Sequence, residues 1–175
     1  IFGLVIIFLV LAAQFESFVH PIVILFTVPL ALSGGVMALY FYGITINIYT
    51  QIALVLLLGL ATKNGILIVE FTNQLRDKGL SFYRALITAT SLRLRPILMT
   101  SITTIVGTIP LIFSSGAGSE SRYVLGIVLF WGVFFSMILS LWIIPLVYSL
   151  LAKRSGSPLR KTRELEAVLK EEKVI

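Results

Sequence analysis

The fold of this chain is decided by one apolar stretch, Gln51-Ile-Ala-Leu-Val-Leu-Leu-Leu-Gly-Leu-Ala-Thr-Lys-Asn-Gly-Ile-Leu-Ile-Val-Glu-Phe-Thr72. As an α-helix, 22 residues are about 33 Å long, which matches the roughly 30 Å of hydrocarbon in a bilayer. Within the stretch, the residues Lys63, Asn64 and Glu70 interrupt the apolar character. The stretch therefore predicts a transmembrane helix that carries a charge in its interior.

The composition of the whole chain also indicates a membrane protein. Apolar residues make up 58% and charged residues 13%, and the mean hydropathy is +1.03, whereas about a quarter of a soluble domain is charged. The absence of cysteine excludes disulfides and thiolate metal sites.

The net charge of +6 does not indicate nucleic-acid binding, because five of the 14 basic residues lie within 76–95 and seven within 153–173. Basic clusters beside spans are topology signals.

We predict an all-α membrane protein, a polytopic transmembrane helix bundle. The first apolar run comprises residues 1–13. Thirteen residues of helix cover only about 20 Å, so this run is expected to be the end of a truncated transmembrane helix. The stretch 74–95 is polar and is expected to be a loop with a short helix capped by Ser81, and 152–175 is expected to be a polar tail. The predicted membrane segments are 1–13, 21–42, 51–72, 96–113 and 123–151.

The orientation of this bundle is predicted from its basic residues. The loop 74–95 and the tail 152–175 both carry them, and the two spans between place both on one side of the membrane. The positive-inside rule makes that side cytoplasmic. The segments 43–50 and 114–122 then face outward, and together they contain one basic residue, Arg122.

Lys63 is the residue whose position has the largest energetic consequence. It lies about 13 Å inside its span, where a charge costs several kcal/mol unless it is paired, and such residues usually mark ion or proton paths. Glu16, Asp77 and Glu120 lie in predicted loops, and Glu70 is two helical turns away. A partner carboxylate is therefore expected from sequence outside this chain. The alternative is a structural lysine that is bonded to backbone carbonyls or lines water.

Polar residues near Lys63 admit two interpretations. Asn64 could hold helices together, a common use of amides in membranes, or it could position Lys63. Thr100, Thr104 and Thr108 are four residues apart on one stripe, which suits either close packing or a polar path. Arg93 would share their face only if the helix continued back through Arg95, and Pro96 disfavours that conformation.

The sequence carries no pattern of an enzyme. It has no phosphate-binding glycine loop and no paired histidines, and its single histidine, His20, is expected in a loop. The three methionines, Met37, Met99 and Met137, fall in different predicted spans, so no metal site is expected.

Several motifs resemble one transporter family. The run Gly59-Leu-Ala-Thr-Lys-Asn-Gly-Ile-Leu-Ile-Val-Glu-Phe71 resembles the tenth span of resistance–nodulation–division (RND) transporters of the hydrophobe/amphiphile efflux branch. Arg93-Leu-Arg-Pro-Ile-Leu-Met-Thr-Ser101 resembles the start of their eleventh span, and Leu11-Ala-Ala-Gln-Phe-Glu-Ser17 their loop between the eighth and ninth spans. The resemblance covers residues 1–152 and implies the C-terminal half of a twelve-span transporter.

The resemblance implies a proton-driven inner-membrane multidrug efflux pump that exchanges amphiphilic small molecules for protons. Its partners would be membrane lipid, a periplasmic adaptor, an outer-membrane channel, two further copies in a homotrimer, and the rest of the same transporter. No cofactor is implied beyond the proton-motive force. The family's proton relay pairs a lysine with two aspartates of the fourth span. By position Lys63 is that lysine, Thr100 the relay threonine and Arg93 the associated arginine, with Asn64 in a supporting place. Asn47 stands where some members have an acid.

Two other functions remain open. The metal-exporting branch of the same family shares the fold, although its tenth span is not expected to carry the Lys63–Asn64 pair. A non-transporting membrane assembly or lipid-handling protein could use the same bundle, and Lys63 would then be structural.

Overall fold

A computed structural model describes residues 2–15 and 17–151, and all of their regular elements are helices. The predicted tail 152–175 lies outside the described residues. The helices, in chain order, are α1 (Phe2–Phe15), α2 (Val19–Leu25), α3 (Thr27–Phe41), α4 (Ile48–Asp77), α5 (Phe82–Ile112) and α6 (Ser119–Leu151).

The structure confirms the all-α membrane bundle. Within the described residues, four helical stretches are long and apolar enough to cross a membrane: Val19–Phe41, Ile48–Asp77, Phe82–Ile112 and Ser119–Leu151. Helix α1 is apolar but has 14 residues, fewer than the roughly 20 that a span needs. Helices satisfy their own backbone hydrogen bonds, which is the condition for crossing a layer that contains no water.

The predicted span 21–42 is divided into α2 and α3 by a single interruption at Phe26. Pro29 accounts for it, because proline has no N–H to donate and its ring crowds the carbonyl four residues earlier, here that of Leu25. Beside the interruption, the buried Thr27 hydroxyl donates to the Ile24 carbonyl at 2.7 Å. This side chain is therefore satisfied by the backbone of its own span.

Helix α5 differs most from expectation. The predicted boundary at Pro96, between a loop with a short helix and a separate span, is wrong, because one helix of 31 residues runs through Pro96 from Phe82 to Ile112. Proline within a transmembrane helix removes one backbone bond, and neighbouring helices compensate for it. Ser81 does precede the helix in an extended conformation, but its side chain makes no capping hydrogen bond.

Helix α4 also exceeds its predicted range of 51–72 at both ends. Asn47 explains its start, because its side chain accepts a hydrogen bond from the Thr50 N–H at 2.9 Å while the Thr50 hydroxyl accepts from the Asn47 N–H at 2.8 Å. This reciprocal capping box satisfies two otherwise unpaired donors of the first turn. Asn47 thus has a local structural role.

The four membrane-length stretches are joined by short segments and alternate in direction, so their connections gather at two ends of the bundle. Segments 42–47 and 113–118 lie at one end, which we call the 42–47 end; segments 16–18 and 78–81 lie at the other, the 78–81 end.

His20 lies at the 78–81 end, and its expected loop position is wrong. It is in α2 and fully buried, with ring centroids 5.8 Å from Phe15 and 5.7 Å from Tyr148. The Tyr148 hydroxyl donates to Asn73 Oδ1 at 2.8 Å, and the Phe82 ring stacks on Tyr148 at 5.6 Å. Aromatic packing therefore joins α1, α2, α5 and α6, and the tyrosine hydrogen bond adds α4.

Helix α6 lies at the centre of the bundle and packs against α3, α4 and α5. Glycines permit this close approach, because a methyl group at Gly34 of α3 would lie 2.7 Å from Phe135 Cβ. At Gly126 of α6 a methyl group would lie 2.8 Å from Ile112 Cγ1 and 3.1 Å from the Ile112 backbone nitrogen. Small residues that let backbones approach in this way drive helix association in membranes.

Gly126→Ala is expected to destabilise the bundle by about 1–3 kcal/mol, the usual cost of overpacking a filled interior, because the Ile112 backbone cannot easily move away. The matched control is Gly107→Ala in α5, where an added methyl would meet no atom of the described chain within 4 Å. Thermal unfolding in detergent measures both variants. Equal midpoints for the two variants would contradict this packing account.

Candidate functional site

Lys63 lies at the middle of α4, 15 residues after Ile48 and 14 before Asp77. Either end of the helix is therefore about 21 Å away along its axis, beyond the reach of a lysine side chain. Its neighbours Thr62 and Asn64 are buried, whereas Lys63 is exposed on the surface of the described chain. The structure thus places a cationic side chain midway along a candidate span, on a side that the described helices leave open.

A small cleft beside Lys63 is formed jointly by α4, α5 and α6. Its volume is about 10 Å³, which is near the minimum needed to hold one water molecule. Six of its nine lining residues are polar and three are apolar. The lining residues are Leu60, Ala61, Lys63, Asn64, Thr100, Ser101, Thr104, Val133 and Ser136.

The cleft brings together three of the four predicted site residues, Lys63, Asn64 and Thr100. Thr100 and Lys63 are on different helices, and the packing of α5 against α4 makes them neighbours. Of the hydroxyl stripe, Thr104 also lines the cleft, but Thr108 lies one turn beyond it and donates to the Ile105 carbonyl. The stripe therefore has a polar part at the cleft and a part that fits a packing role.

The threonine hydroxyls at the cleft have their protons engaged and their oxygens available. Thr100 donates to the Ile97 carbonyl at 3.2 Å, and Thr104 donates to the Thr100 carbonyl at 2.8 Å. A hydroxyl has one donor and two acceptor lone pairs, so each oxygen can still accept a hydrogen bond. An ammonium has only donors, and the cleft is therefore suited chemically to receive one.

Arg93 is the predicted site residue that the structure does not bring into the cleft. It lies seven residues before Thr100, about 10 Å along the continuous helix. Its Cζ is 4.3 Å from the centroid of the Phe71 ring, a cation–π distance. Its Nε is buried and has no hydrogen-bond partner among the described residues.

Ser136 of α6 lines the cleft and was not singled out from the sequence. It is 1% exposed, and its hydroxyl has no hydrogen-bond partner in the part of the chain that the structure describes. The available signal was the spacing of Gly132, Ser136 and Ser140, three small residues four apart in an otherwise apolar run. Such spacing puts them on one helical face and suggests a helix contact there.

The acidic residues of the described chain lie away from the cleft. Glu70 is two turns from Lys63 on α4 and its Oε1 accepts a hydrogen bond from Gln74 Nε2 at 3.4 Å. Asp77 and Glu120 lie at helix ends. The cleft itself therefore offers Lys63 hydroxyl and amide groups, and none of its lining residues is an acid.

Comparison with known proteins gives one consistent result. Residues 1–152 match the family described as AcrB/AcrD/AcrF. An uncharacterized transporter of Haemophilus influenzae is 44% identical over 157 residues, which covers 86% of this chain and 15% of that protein. The toluene efflux pump membrane transporter TtgB and the antibiotic efflux pump membrane transporter ArpB, both of Pseudomonas putida, are each 39% identical over 151 residues. That alignment covers 86% of this chain and 14% of each pump, so the chain spans a small part of the length of these curated relatives.

Proposed function

Because this chain belongs to the AcrB/AcrD/AcrF family of RND efflux transporters, we propose that it supplies the lysine side of a transmembrane proton relay. The pump would exchange protons for amphiphilic small molecules, with the proton-motive force as its energy source. The observation that carries this proposal is the convergence of Lys63, Asn64 and Thr100 on one cleft at mid-helix. The names of the relatives, which include toluene and antibiotic efflux pumps, support a small-molecule substrate.

In this proposal two aspartates of the transporter's fourth span face Lys63 from its open side. An opposite charge within about 4–6 Å favours the ionised form of an acid, so the lysine holds the aspartates ionised until protons arrive. Protonation removes the attraction, and the ammonium then turns toward the hydroxyl oxygens of the cleft. By its position in the family motif, Thr100 is the residue that would accept the ammonium. Asn64, the next residue of α4, would stabilise the lysine from the same helix.

Arg93 has a different place in the proposal. Two turns from Thr100 and packed on Phe71, it connects α5 to α4 on the 78–81 side of the cleft. It would act on the relay by fixing the position of α5, since it does not line the cleft itself.

The proposal extends to the surroundings of the chain. We propose that the 78–81 end is cytoplasmic, because Arg76, Lys78 and Arg84 gather there and basic residues favour that side. The bundle would lie in a bacterial inner membrane as part of a homotrimer, with a periplasmic adaptor and an outer-membrane channel as partners. The membrane, the homotrimer and the two partner proteins are proposed from family membership.

Replacement of Lys63 tests the relay. In the intact transporter Lys63→Ala is expected to reduce export to the level of cells without the pump, because no other lining residue of the cleft is cationic. Lys63→Arg is expected to restore little, since a planar guanidinium does not replace a compact ammonium. Drug export and membrane-inserted protein are measured together.

The matched control is Lys78→Ala, an exposed lysine at the end of α4, which should leave export unchanged. Normal export by Lys63→Ala at equal protein level would identify Lys63 as structural and favour the non-transporting alternative. Export that depended on a metal substrate would favour the metal-exporting branch.

Thr100→Ala is expected to slow export roughly tenfold, because a hydrogen bond to a charged group contributes about 1.5 kcal/mol or more. Thr103→Ala is the control, since Thr103 donates to the Met99 carbonyl of the same helix at 2.8 Å but is exposed and does not line the cleft. Initial rates of dye export at matched expression give the comparison. Similar losses in both variants would indicate a general effect on α5.

Single cysteines test the orientation, and the absence of native cysteine from this chain makes their placement simple. Ser115→Cys at the 42–47 end is expected to react with a membrane-impermeant maleimide in intact spheroplasts. Lys78→Cys is expected to react only after the membrane is opened. The reverse pattern would overturn the proposed topology.

A further inference from the structure

Ser136 is a buried polar group that the relay described above does not use. Its side chain is 1% exposed and its hydroxyl has no partner among the described residues. Burying a hydroxyl without a hydrogen bond is unfavourable, and a partner within the cleft would remove that cost. The comparable serine one turn further along α6, Ser140, donates to the Met137 carbonyl at 3.4 Å.

The surroundings of Ser136 define what that partner can be. The hydroxyl borders a cleft of about 10 Å³, which has room for roughly one water. Lys63 of α4 and the hydroxyl-bearing residues Thr100, Ser101 and Thr104 of α5 line the same cleft. A buried water typically makes about three hydrogen bonds, and α4, α5 and α6 each offer at least one polar group here.

We propose that Ser136 and the α5 hydroxyls hold a single water molecule that receives the Lys63 ammonium when the lysine leaves its acidic partners. This inference rests on the proposed proton relay and adds α6 to it. Ser136 is then a positioning residue, since it acts on Lys63 through the water. A water-mediated hydrogen bond is nearly as favourable in enthalpy as a direct one.

The sign of the resulting pH effect follows from the two states of the relay. The water and Ser136 stabilise the state in which the lysine has turned away and the aspartates are protonated. Loss of the Ser136 hydroxyl therefore disfavours proton uptake, and a lower pH is needed to reach the same protonated fraction. Lys63 from α4 is the charged group lining the cleft, α5 and α6 contribute uncharged residues to that lining, and Glu70 and Arg93 lie two turns away along their helices.

The test uses the intact transporter in proteoliposomes and measures export against external pH. Ser136→Ala is expected to move the pH of half-maximal export toward acid by about 0.5 unit or more, which corresponds to roughly threefold or more in the protonation equilibrium. Ser140→Ala is the matched control and should leave the profile unchanged, because its hydroxyl bonds within α6 and does not line the cleft.

A second pair of variants separates the hydroxyl from the volume of the side chain. Ser136→Thr keeps the hydroxyl and should retain the original pH profile. Ser136→Val has nearly the shape of the threonine variant but no hydroxyl, and its pH of half-maximal export should shift toward acid. Equal profiles for this pair, or an unshifted Ser136→Ala, would overturn the role of Ser136. The relay itself would still stand if Lys63→Ala abolished export in the same assay, so the two failures are distinguishable.

Discussion

A backbone N–H or C=O without a partner costs several kcal/mol in hydrocarbon, and the architecture of this chain depends on that constraint. It favours unbroken helices over loops at membrane depth, and α5 accordingly continues through Pro96 as one helix. Side chains obey the same rule, since the hydroxyls of Thr62 and Thr72 donate to carbonyls of their own helix. Hydroxyl groups in the bundle are thus largely satisfied locally, and that of Ser136 is notable because it is buried without a partner among the described residues.

The Lys63 ammonium is an exception, because the backbone of its own helix cannot satisfy its hydrogen bonds. An ammonium has three donors and no acceptor, and the carbonyls around it in α4 are already used by the helix. Besides Asn64 of the same helix, the polar residues that line the cleft come from other helices, with Thr100 and Ser101 from α5 and Ser136 from α6. A charge that one helix cannot satisfy therefore makes the mutual positions of three helices part of a single site. The contact of α6 with α5, which is close at Gly126, therefore contributes to the mutual position of two of those helices.

Composition was sufficient to predict the membrane bundle, because the apolar content exceeds what one soluble core can bury. It was insufficient at Pro96, where the local preference of proline was applied without the lipid and the neighbouring helices that keep α5 continuous. For the site, motif resemblance selected Lys63 and Thr100, and the structure places both at one cleft. The expected loop position of His20 followed from a span that was predicted to begin at residue 21, whereas α2 begins at Val19. Ser136 could not be predicted for another reason. The sequence of a helix that is apolar all round does not reveal which face meets its neighbours. The surroundings of a single polar residue depend on the rotation of the helix about its own axis, and only packing determines that rotation.

The continuity of α5 has a mechanical consequence. Phe82 and Thr100 belong to the same rod, 18 residues apart or about 27 Å along its axis. A tilt of about 5° around Thr100 displaces Phe82 by roughly 2 Å over that length. Phe82 stacks on the ring of Tyr148, so such a tilt at the polar cleft would displace a side chain that contacts α6 at the far end of the bundle. A separate short helix joined by a loop at Pro96 would absorb that motion, whereas a helix that continues through Pro96 can transmit it.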